Sequence, residues 1–234
     1  MSYKRLLDEM TLKEKVGQLF QIGFDGTEVT PEVKEMIEDY NVGGIIYFRR
    51  NIESLEQIAN LSNELQEIAC NKEKGVPLLI STDQEGGTVT RVTGGTHFPG
   101  NMTIGATRDT ELAGKAGKAI AKELKAIGIN MDLAPVLDIN NNPENPVIGV
   151  RSYGEDPEQV AKLGVSFIEE MQSEDVVACG KHFPGHGDTA TDSHLALPVI
   201  KHERERLEKV EFYPFVKAIE AGIDSIMTAH VNFP

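Results

Sequence analysis

Short apolar runs alternate along this chain with longer segments in which apolar residues recur every three or four positions. Runs of four to eight apolar residues are typical of strands buried on both faces, and the longer repeat is typical of amphipathic helices. Buried strands that helices connect form a parallel sheet covered by those helices. The alternation therefore predicts an α/β fold.

Six apolar runs and six helical segments can be placed from this pattern. The predicted strands are Leu19–Phe24, Val42–Phe48, Val76–Thr82, Ile129–Pro135, Val176–His182 and Ile223–His230. The predicted helices are Thr11–Gln18, Pro31–Tyr40, Ser54–Cys70, Thr110–Ile127, Asp156–Met171 and roughly His202–Ala221. This order fits either an open doubly wound sheet or a closed TIM-type (β/α)8 barrel.

The turn after the first strand separates these two architectures. A nucleotide-binding sheet has a glycine-rich phosphate turn there, whereas this chain reads Asp25-Gly26-Thr27-Glu28, and no G-x-x-x-x-G-K-[ST] motif occurs anywhere. A barrel instead places polar side chains at the C-terminal ends of several strands. We therefore predict the barrel, because polar side chains cluster at four strand ends: Asp83, Gln84, Glu85, Asp132, Asp138, Lys181, His182 and His230.

The number of β/α units is smaller than a full barrel needs. Six units can be counted, and the chain stops at Pro234, just after the sixth strand. The sequence thus predicts one barrel domain over residues 1–234, truncated after about six units. An open sheet edge exposes unpaired backbone groups and apolar surface, so we expect self-association.

The charge balance limits the partners of this protein. Lys and Arg number 23 and Asp and Glu number 37, which gives a formal net charge of −14. Binding to nucleic acid or to an anionic membrane surface requires a basic face, so neither is expected.

The N-terminal sequence lacks the apolar stretch of a secretory signal, and no apolar run could span a bilayer, which predicts a cytoplasmic protein. The two cysteines, Cys70 and Cys179, are expected to be reduced and buried.

Residues 181–194 contain the densest group of reactive side chains. Lys181 and His182 at a strand end are rigidly placed for hydrogen bonding to ligand hydroxyls, and Gly185 and Gly187 allow the following loop to bend. Asp192 and His194 lie two positions apart in that loop, where an extended backbone projects both to one side. A carboxylate beside an imidazole raises its proton affinity, so the pair could serve as general acid and base.

Two other interpretations of this segment stay open. Asp192 could cap a turn while His194 covers apolar surface. Alternatively, five side chains could be metal ligands, since imidazole and carboxylate suit zinc or iron. Those candidates are His182, His186, Asp188, Asp192 and His194.

Four motifs occur in this order: D-Q-E-G-G-T-V-T-R at 83–91, N-P-V-I-G-V-R-S-Y-G at 145–154, K-H-F-P-G-H-G-D-T at 181–189 and D-S-H at 192–194. Together they resemble the N-terminal barrel domain of the family 3 glycoside hydrolases. More narrowly, the chain is similar to the β-N-acetylglucosaminidase branch, which trims N-acetylglucosamine from cell-wall muropeptides. The motifs are spread between residues 83 and 194.

The resemblance implies a role for each matching residue. The sugar-binding residues would be Asp83, Arg91, Arg151, Lys181 and His182. The acid/base would be His194 with Asp192 as its partner, in a retaining mechanism that uses no metal and no organic cofactor. The substrate would be a small carbohydrate.

The chain departs from the family pattern in two places. Thr88 stands where members often have arginine, which removes a positive charge near the site. The family's nucleophilic aspartate follows the seventh strand and is therefore expected beyond residue 234. We interpret Asp132, Asp138 and Asp224 as structural carboxylates. A β-glucosidase, a glycoside phosphorylase or a non-catalytic sugar-binding fragment remain alternative functions.

Overall fold

A computed structural model describes residues 3–72, 74–191 and 196–234. Its helices are α1 (Tyr3–Glu9), α2 (Leu12–Gly17), α3 (Pro31–Glu38), α4 (Leu55–Cys70), α5 (Asn101–Thr107), α6 (Thr110–Ala126), α7 (Pro157–Gln172), α8 (Arg204–Lys209) and α9 (Tyr213–Glu220). Its strands are β1 (Gln21–Ile22), β2 (Gly44–Tyr47), β3 (Leu79–Thr82), β4 (Gln84–Gly86), β5 (Val89–Thr90), β6 (Met131–Asp132), β7 (Val177–Phe183) and β8 (Ser225–Thr228). None of the helices among these residues combines the length and apolar composition that crossing a membrane requires.

The chain divides into two compact units. The first comprises Met1–Asp83, Arg91–Gly95 and Glu123–Met131. Within it, β1, β2 and β3 pair in parallel in that order, with α3 and α4 packed against each other. Its core consists of aliphatic side chains from β2, β3 and α4 that are fully buried, which are Ile45, Ile58, Leu65 and Ile80.

The second unit comprises Gln84–Thr90, Thr96–Lys122 and Asp132–Pro234. Strand β7 pairs in parallel with β8, and its other edge is hydrogen-bonded to residues 134–137 that follow β6. Strands β4 and β5 form a separate antiparallel hairpin. Helix α7 packs against α9 and buries Phe167, while α9 buries Phe215. Parallel strands connected by helices therefore confirm the predicted α/β class.

Local capping chemistry explains where several helices begin. Thr11 and Glu14 form a reciprocal capping box at α2, in which each side chain accepts a hydrogen bond from the other residue's amide. The side chains of Thr30, Ser54 and Asp156 cap α3, α4 and α7 by accepting one backbone amide of the first turn, without the reciprocal bond. These starts agree with the sequence prediction because a cap requires only neighbouring residues.

The predicted helix over residues 202–221 is wrong in one respect. The structure has two helices, α8 and α9, with a break at residues 210–212. Pro214 lies in the first turn of α9. Its nitrogen carries no hydrogen and could not donate to the carbonyl of Val210 in a continuous helix, so the helix ends and begins again.

Other predicted bounds also change. The first strand is shorter than predicted, because Leu19 and Phe20 donate backbone hydrogen bonds to Val16 and Gly17 and so extend the turn that ends α2. The pattern also missed α1, α5 and the β4–β5 hairpin. Cys179 is buried, as predicted, but Cys70 is exposed at the end of α4, so its predicted burial is wrong.

Candidate active site

Three side chains of the second unit form a buried ionic cluster around Glu85. Arg151 donates from Nε to Oε2 of Glu85 at 2.9 Å and from Nη2 to Oε1 at 2.7 Å. The Nζ of Lys181 lies 2.6 Å from the same Oε1. The side chains of Glu85 and Lys181 are 2% and 1% exposed, and that of Arg151 is 17% exposed. One carboxylate thus holds two cations in fixed positions.

The backbone around each member explains its placement. Glu85 belongs to β4 and Lys181 to β7, so both arise from extended backbone. Arg151 ends the 3-10 turn Gly149–Arg151, and its carbonyl accepts a hydrogen bond from Nδ2 of Asn101 at 2.7 Å. The 3-10 turn and Asn101, the first residue of α5, therefore fix the backbone of Arg151, while Glu85 fixes its guanidinium group.

Two opposing effects act on the ionisation of Glu85. Burial alone would raise the pKa of this carboxyl, but the hydrogen bonds and positive charges of Arg151 and Lys181 outweigh burial and lower the pKa below its usual value. Glu85 is therefore ionised at neutral pH. The cluster then carries two positive charges and one negative charge.

Asp138 forms a second buried cluster in the same unit. Its side chain is fully buried and its Oδ2 lies 2.6 Å from Nδ1 of His182. It also accepts the backbone amides of His182 at 3.2 Å and of His186 at 2.7 Å. A single carboxylate thus binds the start of the loop that follows β7.

The charge state of Asp138 determines which atom His182 presents. Burial alone would raise the pKa of Asp138, but the charge and hydrogen bond of His182, together with the backbone amides, lower it. An ionised carboxylate accepts hydrogen bonds and cannot donate them, so Nδ1 of His182 carries the hydrogen. Nε2 is consequently the ring nitrogen available to a ligand. The sequence interpretation of Asp138 as a purely structural carboxylate missed this contact.

Asn145 connects the loop that carries Arg151 to the loop after β7. Its Oδ1 accepts the amides of Val147 and Ile148, while its Nδ2 donates to the carbonyls of His186 and Gly187 at 2.8 and 3.0 Å. A Cβ at Gly187 would lie 1.7 Å from the carbonyl oxygen of Ile139, so only glycine fits there. The close approach of the Ile139 backbone therefore explains the glycine at position 187, rather than the loop bending that the sequence analysis predicted.

His186 is buried beneath this loop. Its Nδ1 lies 2.9 Å from Oγ1 of Thr189, and it is 3% exposed. Burial lowers the pKa of His186 and outweighs the opposing effects of a backbone hydrogen bond and of the Asp138 charge, so the neutral form is favoured.

Asp83 and Arg91 form a looser pair in the first unit. Oδ2 of Asp83 and Nη2 of Arg91 are 3.8 Å apart, with side chains 17% and 33% exposed. The backbone of Arg91 is held by Nη1 of Arg49, which donates to its carbonyl at 3.3 Å. Both side chains keep the exposure that contact with a ligand requires.

The structure thus places three predicted sugar-binding residues of the second unit in two carboxylate-centred clusters, and the other two in an ion pair of the first unit. Asp192 and His194 lie outside the described residues. Glu85, Asp138 and Asn145 were not among the predicted site residues. Their positions in the sequence could have identified two of them, because Glu85 lies within the motif at 83–91 and Asn145 begins the motif at 145–154.

The metal interpretation finds no support in the part of the chain that the structure describes. There, no three His, Cys, Asp or Glu side chains are arranged to hold a metal ion. His182 contacts Asp138, and Asp188 contacts Nε2 of His202. Two of the five proposed ligands, Asp192 and His194, lie outside the described residues.

Each of these groups has the chemistry to bind a ligand rich in hydroxyls. Arg, Lys and His donate hydrogen bonds to sugar oxygens, and carboxylates accept hydrogen bonds from sugar hydroxyls. Lys181 and His182 lie on a strand, and Arg151 lies on a loop that is held by hydrogen bonds. These side chains therefore lose less conformational entropy when a ligand binds.

Residues 11–234 match the glycosyl hydrolase family 3 N-terminal domain. A protein named beta-hexosaminidase A from Pseudoalteromonas piscicida is 44% identical over 214 residues, which is 89% of this chain and 36% of that protein. A beta-hexosaminidase from Thiobacillus denitrificans is 38% identical, over 89% of this chain and 58% of its own length. The chain therefore spans roughly a third to three fifths of these relatives.

Two solved structures also superpose closely on this chain. A family 3 beta-N-acetylglucosaminidase from Paenibacillus sp. str. FPU-7 superposes with a TM-score of 0.94 and 57% identity, covering 96% of this chain and 43% of that one. The structure of NagZ from Neisseria gonorrhoeae in complex with N-trifluoroacetyl-D-glucosamine superposes with a TM-score of 0.84 and 35% identity, covering 92% and 64%. The fold and many side chains are thus shared with sugar-cleaving enzymes.

Proposed function

Because this chain belongs to glycosyl hydrolase family 3, we propose that the protein removes terminal, non-reducing β-linked N-acetylglucosamine from small glycosides. The observation that carries the proposal is the similarity, over nearly the whole chain, to the beta-N-acetylglucosaminidase from Paenibacillus. The clustered cations of the second unit support it, since they suit a neutral ligand with many oxygens. The reaction is proposed to need no metal or organic cofactor.

The sugar is held by five side chains in this proposal. Arg151, Lys181 and His182 donate hydrogen bonds to sugar oxygens, and Nε2 of His182 is the ring atom that faces the ligand. Asp83 accepts from sugar hydroxyls, and Arg91 donates. The exposure of Asp83 and Arg91 and the fixed geometry around Glu85 support this assignment.

The chemical steps follow the retaining scheme for glycosidases. His194, held by Asp192, gives a proton to the glycosidic oxygen as its bond to the anomeric carbon breaks. An aspartate expected beyond residue 234 forms a bond to that carbon. Water then attacks the same carbon while His194 takes its proton, which releases the sugar and restores the aspartate.

The proposal places this reaction in the cytoplasm, with muropeptides of peptidoglycan recycling among its substrates. The exposed, free thiol of Cys70 supports a reducing compartment, where such cysteines persist. Fractionation of cells that produce the whole protein would test the location.

Self-association through an exposed sheet edge also remains a prediction. Val216 and Ile219 of α9, the helix before β8, are 45% and 57% exposed, which provides apolar surface for contact with a second copy. Solution mass measured over a range of concentrations tests it. A constant monomer mass contradicts it.

The test of function is release of nitrophenol from nitrophenyl N-acetyl-β-glucosaminide by the whole protein. The nitrophenyl β-glucoside is assayed beside it, each with and without phosphate. We expect turnover of the N-acetylglucosaminide alone, with no dependence on phosphate. Preference for the glucoside, or a phosphate requirement, would instead identify a β-glucosidase or a phosphorylase.

The His194→Ala variant tests the acid/base assignment. With a poor leaving group, turnover should fall by roughly two to four orders of magnitude, the usual contribution of a general acid. His97→Ala is the matched control, because His97 is exposed. Unchanged turnover by His194→Ala would remove His194 from the mechanism.

A further inference from the structure

We propose that Glu85 is a positioning residue that fixes Arg151 and Lys181 and cancels one of their two charges, so that this cluster binds neutral sugars in preference to anions. The inference rests on the proposed function and deepens it by assigning ligand selectivity to a residue of the same site. Glu85 acts through the two cations rather than by touching the sugar.

The geometry of the cluster supports the positioning role. The two hydrogen bonds from Nε and Nη2 of Arg151 to the two carboxylate oxygens define the plane of the guanidinium as well as its distance. Lys181 reaches Oε1 from β7 at 2.6 Å and is almost completely buried. Long side chains such as these lose considerable freedom when they bind a ligand, and a prior contact with Glu85 removes most of that freedom in advance.

The charge of the cluster supports the selectivity role. Arg151 and Lys181 contribute two positive charges, and Glu85 contributes one negative charge, leaving an excess of one. Arg and Lys side by side are also the groups that bind phosphate and sulfate. Without the carboxylate, two cations in a poorly hydrated position would attract an anion strongly. With it, one of the two positive charges is cancelled, and the attraction for an anion is correspondingly weaker.

A purely structural carboxylate would behave differently. Its loss would lower stability and would weaken every ligand to a similar degree. The proposal instead separates two effects, because geometry and charge can be changed independently at this position. Glu85→Asp keeps the charge but shortens the reach, while Glu85→Gln keeps the shape but removes the charge.

The experiment measures kcat, KM and the inhibition constant of inorganic sulfate for the whole protein, with nitrophenyl N-acetyl-β-glucosaminide as substrate and at constant ionic strength. Glu85→Asp should raise KM several-fold and leave sulfate inhibition within about twofold of wild type. Glu85→Gln should also raise KM, and should strengthen sulfate inhibition roughly tenfold, as expected for one added unit charge close to the anion.

A double variant provides the decisive control. Glu85→Gln with Lys181→Met restores the original excess charge, so sulfate inhibition should return to near the wild-type value although KM stays raised. Glu144→Gln is the matched control, because it removes the same charge from an exposed position of the loop that carries Arg151. It should leave KM and the sulfate inhibition constant unchanged.

Several results would overturn the proposal. Unchanged sulfate inhibition in Glu85→Gln, or equally strong inhibition in the double variant, would exclude the selectivity role. An unchanged KM in Glu85→Asp would exclude positioning. If Glu85→Gln does not fold, Glu85→Asp tests positioning and Lys181→Met alone tests charge: it removes one positive charge while Glu85 stays, so sulfate inhibition should weaken roughly tenfold, and unchanged inhibition would exclude the selectivity role.

Failure of the proposed function is distinguishable from failure of this inference. If wild type shows no turnover, the function fails, and calorimetric titration of the same variants with N-acetylglucosamine and with sulfate then measures the two affinities directly. Binding of sulfate that rises in Glu85→Gln and falls again in the double variant would support the role of Glu85 even then.

Discussion

Glu85 and Asp138 are both buried carboxylates of the second unit, but different kinds of partner neutralise them. Glu85 pairs with two side-chain cations, Arg151 and Lys181. Asp138 pairs with one imidazole and accepts two backbone amides, those of His182 and His186. Both carboxyl pKa values are lowered despite burial.

The difference shows two ways of preparing a rigid ligand site. Side-chain partners carry full charges, so the ionic balance around Glu85 can be changed by one substitution. Backbone partners carry partial charges but belong to the chain itself, so Asp138 fixes the path of a loop as well as the orientation of His182. Charge selectivity is therefore expected to depend on Glu85, and loop order on Asp138.

The largest expected loss of stability comes from Glu85→Gln. It removes the carboxylate charge that both Arg151 and Lys181 contact, and breaking a buried ion pair from one side typically costs about 3 kcal/mol or more of unfolding free energy. Adding Lys181→Met should recover a substantial part of that loss, since the cluster then holds one cation fewer. Denaturant unfolding of the wild type and both variants checks this. No recovery in the double variant would contradict the ionic account.

A smaller loss is expected from Asp138→Asn. The amide retains one acceptor but faces the N–H groups of His182 with its own hydrogens, which should cost about 2 kcal/mol. Asp224→Asn is the control, because Asp224 is exposed and lies just before β8. The same unfolding measurement applies, and hydrogen exchange should show faster exchange at the His186 amide. Equal losses of unfolding free energy in Asp138→Asn and Asp224→Asn would show that Asp138 stabilises the protein no more than an exposed carboxylate does.

The pH dependence should separate the contribution of His186 from that of the two buried carboxylates. The pKa of His186 is lowered by burial, so its contribution is complete above the ordinary value of 6.5 and is lost as pH falls below it. Glu85 and Asp138 also have lowered pKa values, so their contributions are lost only as pH falls below the ordinary 4.5 and 3.8. Unfolding free energy measured from pH 8 to pH 3 should therefore decline in two stages. The His186→Gln variant should lack the first stage.

The smallest stability effect is expected from Arg91→Gln. The Arg91–Asp83 pair is 3.8 Å apart and partly exposed, and such pairs contribute about 0 to 1 kcal/mol. Substrate affinity should nevertheless fall, because the proposed function places Arg91 at the sugar. A raised KM with an unchanged unfolding midpoint would show that Arg91 contributes to binding but not to stability, unlike Arg151 in its buried pair with Glu85. A large loss of stability would contradict it.

Sequence patterns predicted the parallel α/β arrangement and most helix starts, because periodicity and caps such as Thr11 with Glu14 depend on residues close together in the chain. They failed where a single residue changed the outcome, as Pro214 did in dividing one predicted helix into two. For the candidate site, motifs drew attention to Arg151, Lys181 and His182. The two carboxylates that orient these side chains were overlooked.

The amino-acid sequence alone determined the family, the fold class and the residue types available for sugar binding, since these follow from local order and from motif content. Only the tertiary structure decided which carboxylate holds which cation. The bond between Glu85 and Arg151 joins residues 66 positions apart, and the bond between Asp138 and His182 joins residues 44 apart. Such pairings depend on where separate segments meet after folding, and no local pattern encodes that distance.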